Sequence, residues 1–242
     1  MRLKRVLLVP GVHAPYHDLV AWRVLIKAAK KLKPHVIVVL GDFFDCYAVS
    51  AHDRDPSRAA CLETEIADAR KMLSSLGSLA SERRIFCAGN HENRLERYLT
   101  KQAPALHGML KIPEVFRLDG WEYIPYRQSA MVGKLMVTHD VGHAGVNAAR
   151  QTLGATGCNV AIGHTHHLSV VYGGTTEGER RVSATLGWLG DPKHADYIHQ
   201  AKRAAWQHGF GVVSVERDGT AHLRAVPIVN GRSVLNGELV RV

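Results

Sequence analysis

Val36-Ile37-Val38-Val39-Leu40-Gly41-Asp42-Phe43-Phe44-Asp45 opens with five branched apolar residues and breaks at a glycine followed by a carboxylate. A short apolar run, rich in β-branched side chains and closed by glycine, predicts a strand covered on both faces. Upstream, Val6-Leu7-Leu8-Val9 ends at Pro10-Gly11 in the same manner, and residues 19–32 between the two runs carry apolar side chains at helical spacing. The three read as a strand, helix, strand unit. Downstream, a second helical stretch from about 58 to 79 leads into a third apolar run at 84–88, so the alternation continues and the fold class is α/β. From Trp121 the texture changes to strands with few helices, at 134–138, 159–162, 168–172, 181–186, 209–216 and 221–228, which predicts a second sheet. In the last pair, Arg217-Asp218-Gly219-Thr220 places Asp-Gly at a hairpin tip and sets Val213 beside Leu223.

At 242 residues and 46% hydrophobic, the chain can bury one substantial core, and a single domain over 1–242 is expected, with residues 100–120 reading as a small insertion or cap. Lys and Arg number 31 against 22 Asp and Glu, a formal charge of +9 that favours anionic partners. The positive charges are interspersed with negative ones beyond the first 35 residues, so the pattern reads as a solvated basic surface and leaves a nucleic-acid partner open. Four cysteines stand singly at 46, 61, 87 and 158, without zinc-ribbon spacing or the density of a disulfide scaffold, which fits a reducing, cytoplasmic setting. The basic start Met1-Arg2-Leu3-Lys4-Arg5 imitates a secretory leader, but its apolar run stops at Pro10. No apolar stretch approaches the roughly 20 residues of a membrane-spanning helix, so a soluble protein with no membrane partner is expected.

Metal-binding residue types follow the predicted strands, where an α/β sheet presents its loops. They read Pro10-Gly11-Val12-His13, Gly41-Asp42-Phe43-Phe44-Asp45, Gly89-Asn90-His91-Glu92, Thr138-His139-Asp140 and Gly163-His164-Thr165-His166. Imidazole, carboxylate and amide oxygen together suit Mn²⁺, Fe²⁺ or Zn²⁺ better than Ca²⁺ or Mg²⁺. The glycines at 41, 89 and 163 would turn the chain sharply at each strand end and aim the next side chain into the cleft.

Singly each motif is weak, because a lone histidine after a strand is more often structural. In this order, Gly-Asp-x-x-Asp, Gly-Asn-His-Glu and Gly-His-Thr-His resemble the calcineurin-like metallophosphoesterase superfamily, over residues 6–166. The stretch 41–58, ending Asp-Pro-Ser-Arg, resembles phosphoesterases encoded by bacteriophages. The resemblance implies a four-layer sandwich of two packed mixed β-sheets flanked by helices, and hydrolysis of phosphate esters by a hydroxide shared between two divalent ions, Mn²⁺ foremost. It implies one ion held by His13, Asp42 and His166, the other by Asp42, Asn90, His139 and His164, with Asp42 bridging. It makes His91 the general acid and Asp45 its partner, while a role for Asp45 in capping the next turn stays open. Arg94, in the first turn of a helix over 93–100, could reach a phosphate oxygen or form a surface ion pair, and Arg97 and Tyr98 would extend a basic face beside it. Asp140, His143 and His167 read as supporting groups, and Trp188, Trp206, His208 and Phe210 as core.

One position departs from the pattern. The superfamily's first motif is Asp-x-His, and here the triplet is Gly11-Val12-His13, without the first ion's usual carboxylate. That leaves three readings: a natural variant with a labile first ion, an engineered change that lowers turnover, or a disabled member that only binds phosphate or nucleic acid. Monoester and diester substrates are both open, and no aromatic and basic interleaving of the kind that stacks single-stranded bases is visible along the chain.

Overall fold

The computed structural model describes residues 3–52, 61–195 and 198–242. Its elements, in chain order, are β1 (Lys4–Val9), α1 (Leu19–Leu32), β2 (Val36–Val39), α2 (Leu62–Gly77), β3 (Arg83–Cys87), α3 (Asn93–Gln102), α4 (Ile112–Val115), β4 (Glu122–Ile124), β5 (Ser129–Val132), β6 (Leu135–Thr138), α5 (Ala148–Thr156), β7 (Val160–Ile162), β8 (Leu168–Gly174), β9 (Arg180–Leu186), α6 (Gln200–Arg203), β10 (Gly209–Val215), β11 (Ala221–Pro227), β12 (Arg232–Leu235) and β13 (Glu238–Arg241). The quoted run is β2, parallel to β1 on one side and β3 on the other. The first sheet has the order β11-β10-β1-β2-β3-β4 and the second β5-β6-β7-β9-β8, and both mix parallel with antiparallel pairs.

Alternation along the strands creates two cores. Leu7, Val9, Ile37, Val39 and Phe86 face α1 and α2, meeting Val24, Leu25, Leu73 and Leu76. Val6, Leu8, Val36, Val38, Leu40 and Ile85 face the other way, onto Val137, Ala161, Ala184 and Leu186 of the second sheet. Packing α5 on the outer side of β7, β8 and β9 completes four layers: helices, sheet, sheet, helix.

Helix α1 has the bounds its periodicity predicts, with Asp18 capping its start by accepting from the Ala21 N–H. That commits Asp18 locally and keeps it out of the cleft. The start of the second predicted helix, near 58, and the 55–58 end of the phage-like stretch lie outside the described residues. Of the later strands, β10 and β11 join the first sheet and not the second, because β10 pairs antiparallel with the open edge of β1. The hairpin register does set Val213 opposite Leu223. Helix α5 gives little periodic signal, since it buries only Ala148, Ala149 and Thr152. Among the described residues no helix is long and apolar enough to cross a membrane.

Residues 100–120 finish α3, add α4 and bury Ile112, Phe116 and Leu118 in the helix-side core. Phe116 is fully buried and stacks on Phe44, with ring centroids 4.1 Å apart and planes 8° from parallel. Phe44 lies in the same loop as Asp42 and Asp45, so this packing supports the site from behind. Phe116→Ala should therefore cost about 3–5 kcal/mol in chemical denaturation, the range for removing a buried phenyl group. A loss below about 1 kcal/mol would mean that the segment stands outside the cooperative core.

Candidate metal centre

Every motif lies just past the carboxyl end of a strand: His13 after β1, Asp42 and Asp45 after β2, Asn90 and His91 after β3, His139 after β6, and His164 and His166 after β7. Three of these strands belong to the first sheet and two to the second, so the cleft straddles the sandwich. His13, Asp42, His164 and His166 all adopt the left-handed backbone conformation, with φ of 55°, 52°, 61° and 58°. For residues with a Cβ this is strained, and such strain clusters where side chains must be aimed.

Two groups of possible ligand atoms share Asp42. In one, Asn90 Oδ1 lies 2.9 Å from His139 Nε2 and 3.0 Å from His164 Nδ1, while Asp42 Oδ2 lies 3.4 Å from His139 Nε2. In the other, His13 Nε2 and His166 Nε2 approach to 3.2 Å beside Asp42. With bonds of about 2.1 Å to an ion, neighbouring ligands stand about 3.0–3.4 Å apart on a tetrahedron or octahedron, so both groups fit a divalent ion. The tautomers agree with this. His139 gives its Nδ1–H to the Leu40 carbonyl at 2.7 Å, and His13 gives its Nδ1–H to Asp45 Oδ2 at 3.1 Å, which leaves each Nε2 lone pair facing the cleft. His166 keeps a buried Nδ1 without a partner among the described residues.

Electrostatics favour the binding forms. Burial opposes the charge on Asp42, but His139, His91 and His13 outweigh it and hold the carboxyl well below the usual range. Burial pushes His139 and His166 down, which keeps both imidazoles neutral and their lone pairs free. His91 is also disfavoured as a cation by burial, yet the carboxylates of Asp42 and Asp45 prevail and raise its pKa.

Asp45 has three partners. Its Oδ2 lies 3.1 Å from His13 Nδ1 and 3.3 Å from His91 Nδ1, and its Oδ1 accepts from Arg94 at 3.1 Å. The short helical turn 47–49 that follows has no side-chain cap, so Asp45 is spent on the cleft and not on that turn. Arg94 is half-buried and turned inward; it also donates to the Asp45 carbonyl at 2.9 Å and touches His91 Nε2 at 3.1 Å. Of the two roles expected for Arg94, an ion pair forms, and it is internal and not on the surface.

Sequence reasoning missed the residues that hold the loops in place. Glu92 is fully buried: its Oε2 accepts from the N–H groups of Asp42 at 2.9 Å and Gly89 at 2.7 Å, and its Oε1 from Phe44 at 2.8 Å. Glu65 does the same for the N–H groups of Tyr47 and Ala48. Both carboxylates lie on helical or turn segments where a glutamate is unremarkable by spacing. Gly41, at φ 82°, needs the freedom of glycine, whereas Gly89 is small because a side chain there would strike Asp42. Trp188 and Trp206, read as core, wrap a candidate ligand: Trp188 stacks on the His166 ring at 4.7 Å and Trp206 meets it edge-on at 4.3 Å. Phe210 is core, and His208 binds the Gly190 carbonyl. His167 is tied to the Ala205 carbonyl, and Asp140 to the Gly142 N–H.

An α/β sandwich whose strand ends gather two histidine-rich groups around one shared aspartate is a scaffold with the donors to hold divalent ions side by side. The chain belongs to the calcineurin-like phosphoesterase family, whose sequence profile matches residues 4–213. It is similar over its length to the Gene 54 protein of Mycobacterium phage D29, 27% identical over 269 aligned positions that cover 99% of both proteins. Solved structures similar to it include vacuolar protein sorting 29 from Cryptosporidium parvum, 13% identical over 93% of this chain and 97% of that one with a TM-score of 0.47. Another is YfcE, a phosphoesterase from E. coli, 13% identical over 91% of this chain and 98% of that one with a TM-score of 0.42.

Glu92→Gln tests the loop clamp. An amide has one acceptor oxygen for three N–H donors, so at least one donor would face an NH₂ group. Mn²⁺ affinity, measured by calorimetric titration, should fall about 10–100-fold, the range for losing a residue that orients ligands. Unchanged affinity would show that the loops hold their geometry without the carboxylate.

Proposed function

We propose that the chain hydrolyses phosphate esters at a centre of two divalent ions, most simply Mn²⁺, with Fe²⁺ or Zn²⁺ as alternatives that the same donors accept. The observation that carries this reading is His91: a histidine with a raised pKa, held by Asp45 and Arg94 beside both ligand groups yet a member of neither in the arrangement centred on Asp42. His13, Asp42 and His166 would hold one ion, and Asp42, Asn90, His139 and His164 the other. When bound, the ions supply neutralisation of phosphoryl charge and acidification of water. The rest falls to the chain itself.

His91 keeps its Nδ1–H on Asp45 and turns Nε2 to the cleft, where, once that nitrogen carries a proton, it serves as general acid for the leaving oxygen. Arg94 covers that nitrogen, at 3.1 Å. A phosphoryl oxygen that draws the guanidinium away frees Nε2 to take up the proton it delivers, so substrate binding itself readies the acid. Four unpaired thiols, at Cys46, Cys61, Cys87 and Cys158, support a cytoplasmic setting.

Hydrolysis of an aryl phosphodiester should vanish in EDTA and return with Mn²⁺. His91→Ala should retain both ions by titration while turnover on an alkyl ester drops about 10²–10⁴-fold, with a smaller loss on the aryl ester. Equal activity of the variant on the alkyl ester would remove His91 from proton transfer.

Gly11 favours a second reading, a protein that binds phosphate without hydrolysing it. A Cβ at this position would lie 2.9 Å from His13 Nε2 and 3.4 Å from the Asp42 Cβ, so the His13 ring occupies the space of the missing carboxylate. The contact is with the far end of a side chain, which can yield. In Mn²⁺ titrations the unaltered chain should show two unequal sites, and Gly11→Asp should tighten the weaker one by about tenfold through the added negative ligand. A weak site left unchanged would clear Gly11 of responsibility for it.

A further inference from the structure

The cleft does not end at the candidate ions. Ser50, His52, Asn90 and Arg94 line two depressions at once, so these join at the point where the phosphoryl group would sit. One arm, about 580 Å³, is walled by aromatic rings: Tyr16, Tyr47, His194 and Trp206, all half-buried. Tyr16 lies 5.0 Å from His194 and 5.8 Å from Tyr47, centroid to centroid, with planes 54° and 73° apart, so the rings meet at angles and leave faces toward the cavity they line. The other arm, about 360 Å³, runs along α3 past Arg97, Tyr98 and Lys101.

Helix periodicity explains the second arm. Leu95 and Leu99 bury one face of α3, and Arg94, Arg97, Tyr98 and Lys101 follow at the i, i+3, i+4 and i+7 positions of another. Arg94 is drawn inward by Asp45, while Arg97 and Lys101 are exposed and have no ion-pair partner among the described residues. No carboxylate is among the described residues that line this arm. From Arg94 to Lys101 the helix advances about 10 Å, farther than one phosphate group reaches. A monoester would use the junction alone and leave both arms idle.

Another depression, about 790 Å³, lies at the opposite end of the first sheet, and there Lys4 is already paired with Glu82 at 2.9 Å and Arg5 with the Leu32 and Lys33 carbonyls. Lys30 and Lys33 are free of ion pairs among the described residues there, but no tyrosine or tryptophan is among the described residues that line it, so it lacks a surface for a base.

We propose that the two arms form a track for a single-stranded nucleic acid, with a base against the Tyr16, Tyr47 and Trp206 rings on one side of the scissile phosphate and further phosphates on Arg97 and Lys101 on the other. This rests on the phosphoesterase reading for its chemistry and makes the substrate a diester. Rings that accept any base face, together with cations that follow the backbone, recognise a single strand without reading its sequence.

Binding of a fluorescein-labelled dT12 strand, followed by anisotropy in EDTA over a range of salt, tests the track without requiring hydrolysis. Arg97→Ala/Lys101→Ala should weaken binding about tenfold and flatten the plot of log affinity against log salt by about 1.4, roughly 0.7 for each lost phosphate contact. Lys27→Ala/Lys30→Ala, which removes the same charge from the far end of α1, should do neither. An abasic strand of equal length should bind about tenfold more weakly than dT12 because the rings lose their partner. Equal losses from the two double variants would reduce the effect to net charge and overturn the track. Equal binding of the abasic strand would overturn nucleic acid in favour of any polyanion. Because ions are absent from this measurement, a chain that hydrolyses nothing can still bind as described, and one that hydrolyses small esters can still fail it.

Discussion

Three backbone N–H groups pointing at one buried carboxylate set the geometry on which the rest of this site depends. Glu92 gathers the amides of Asp42, Phe44 and Gly89, so the loops after β2 and β3 are fixed to each other. The loop after β1 is fixed in turn to the second, since the N–H groups of Val12 and His13 both reach the Asp42 carbonyl, at 2.9 and 2.8 Å, and that of Ala14 reaches Phe43. The magnitudes are matched. A left-handed residue costs about 1–3 kcal/mol, and each hydrogen bond of this set returns about 0.5–1.5 kcal/mol net. The strain at His13 and Asp42 is therefore of the size that this set of bonds can hold.

The second sheet is brought into register by a different contact. His139 donates to the Leu40 carbonyl, which is the first peptide past β2, and Gly163 packs against the same carbonyl where any side chain would collide. Candidate ligands from the second sheet are thus located relative to Asp42 by a hydrogen bond and a steric limit, and not by the long path of the chain between them. This arrangement explains why a site assembled from two sheets can still present ligand atoms at coordination spacing.

Much of this was readable in the residues and some was not. The alternation of apolar runs identified β1, α1, β2 and β3 because each buries a whole run or a whole face. The motif histidines were readable because each directly follows a strand. The sheet to which β10 and β11 belong was not, since hairpin signals specify a partner strand and say nothing about which open edge it will extend. Glu92 and Glu65 were passed over because a carboxylate that accepts backbone N–H groups has no sequence period. The aromatic wall was invisible for a related reason: Tyr16, Tyr47, His194 and Trp206 come from four separate segments, and only the fold makes them neighbours. Gly89 was expected to serve through backbone freedom, whereas its φ is ordinary and its need is for space.

The loss of a carboxylate at position 11 changes more than one ligand count. Without it, His13 has room to lean over Gly11, and its Nδ1 is bound by Asp45. Asp45 then divides one carboxylate among His13, His91 and Arg94, so the residue that orients the proposed acid also orients a proposed ligand. Each demand weakens the other, because a negative charge drawn toward His13 is less available to a proton on His91. An aspartate at position 11 would supply charge beside the proposed ligands His13 and His166 and leave more of Asp45 to His91. His13, the proposed ligand, and His91, the proposed acid, thus both depend on one oxygen of Asp45, Oδ2, while Arg94 holds the other.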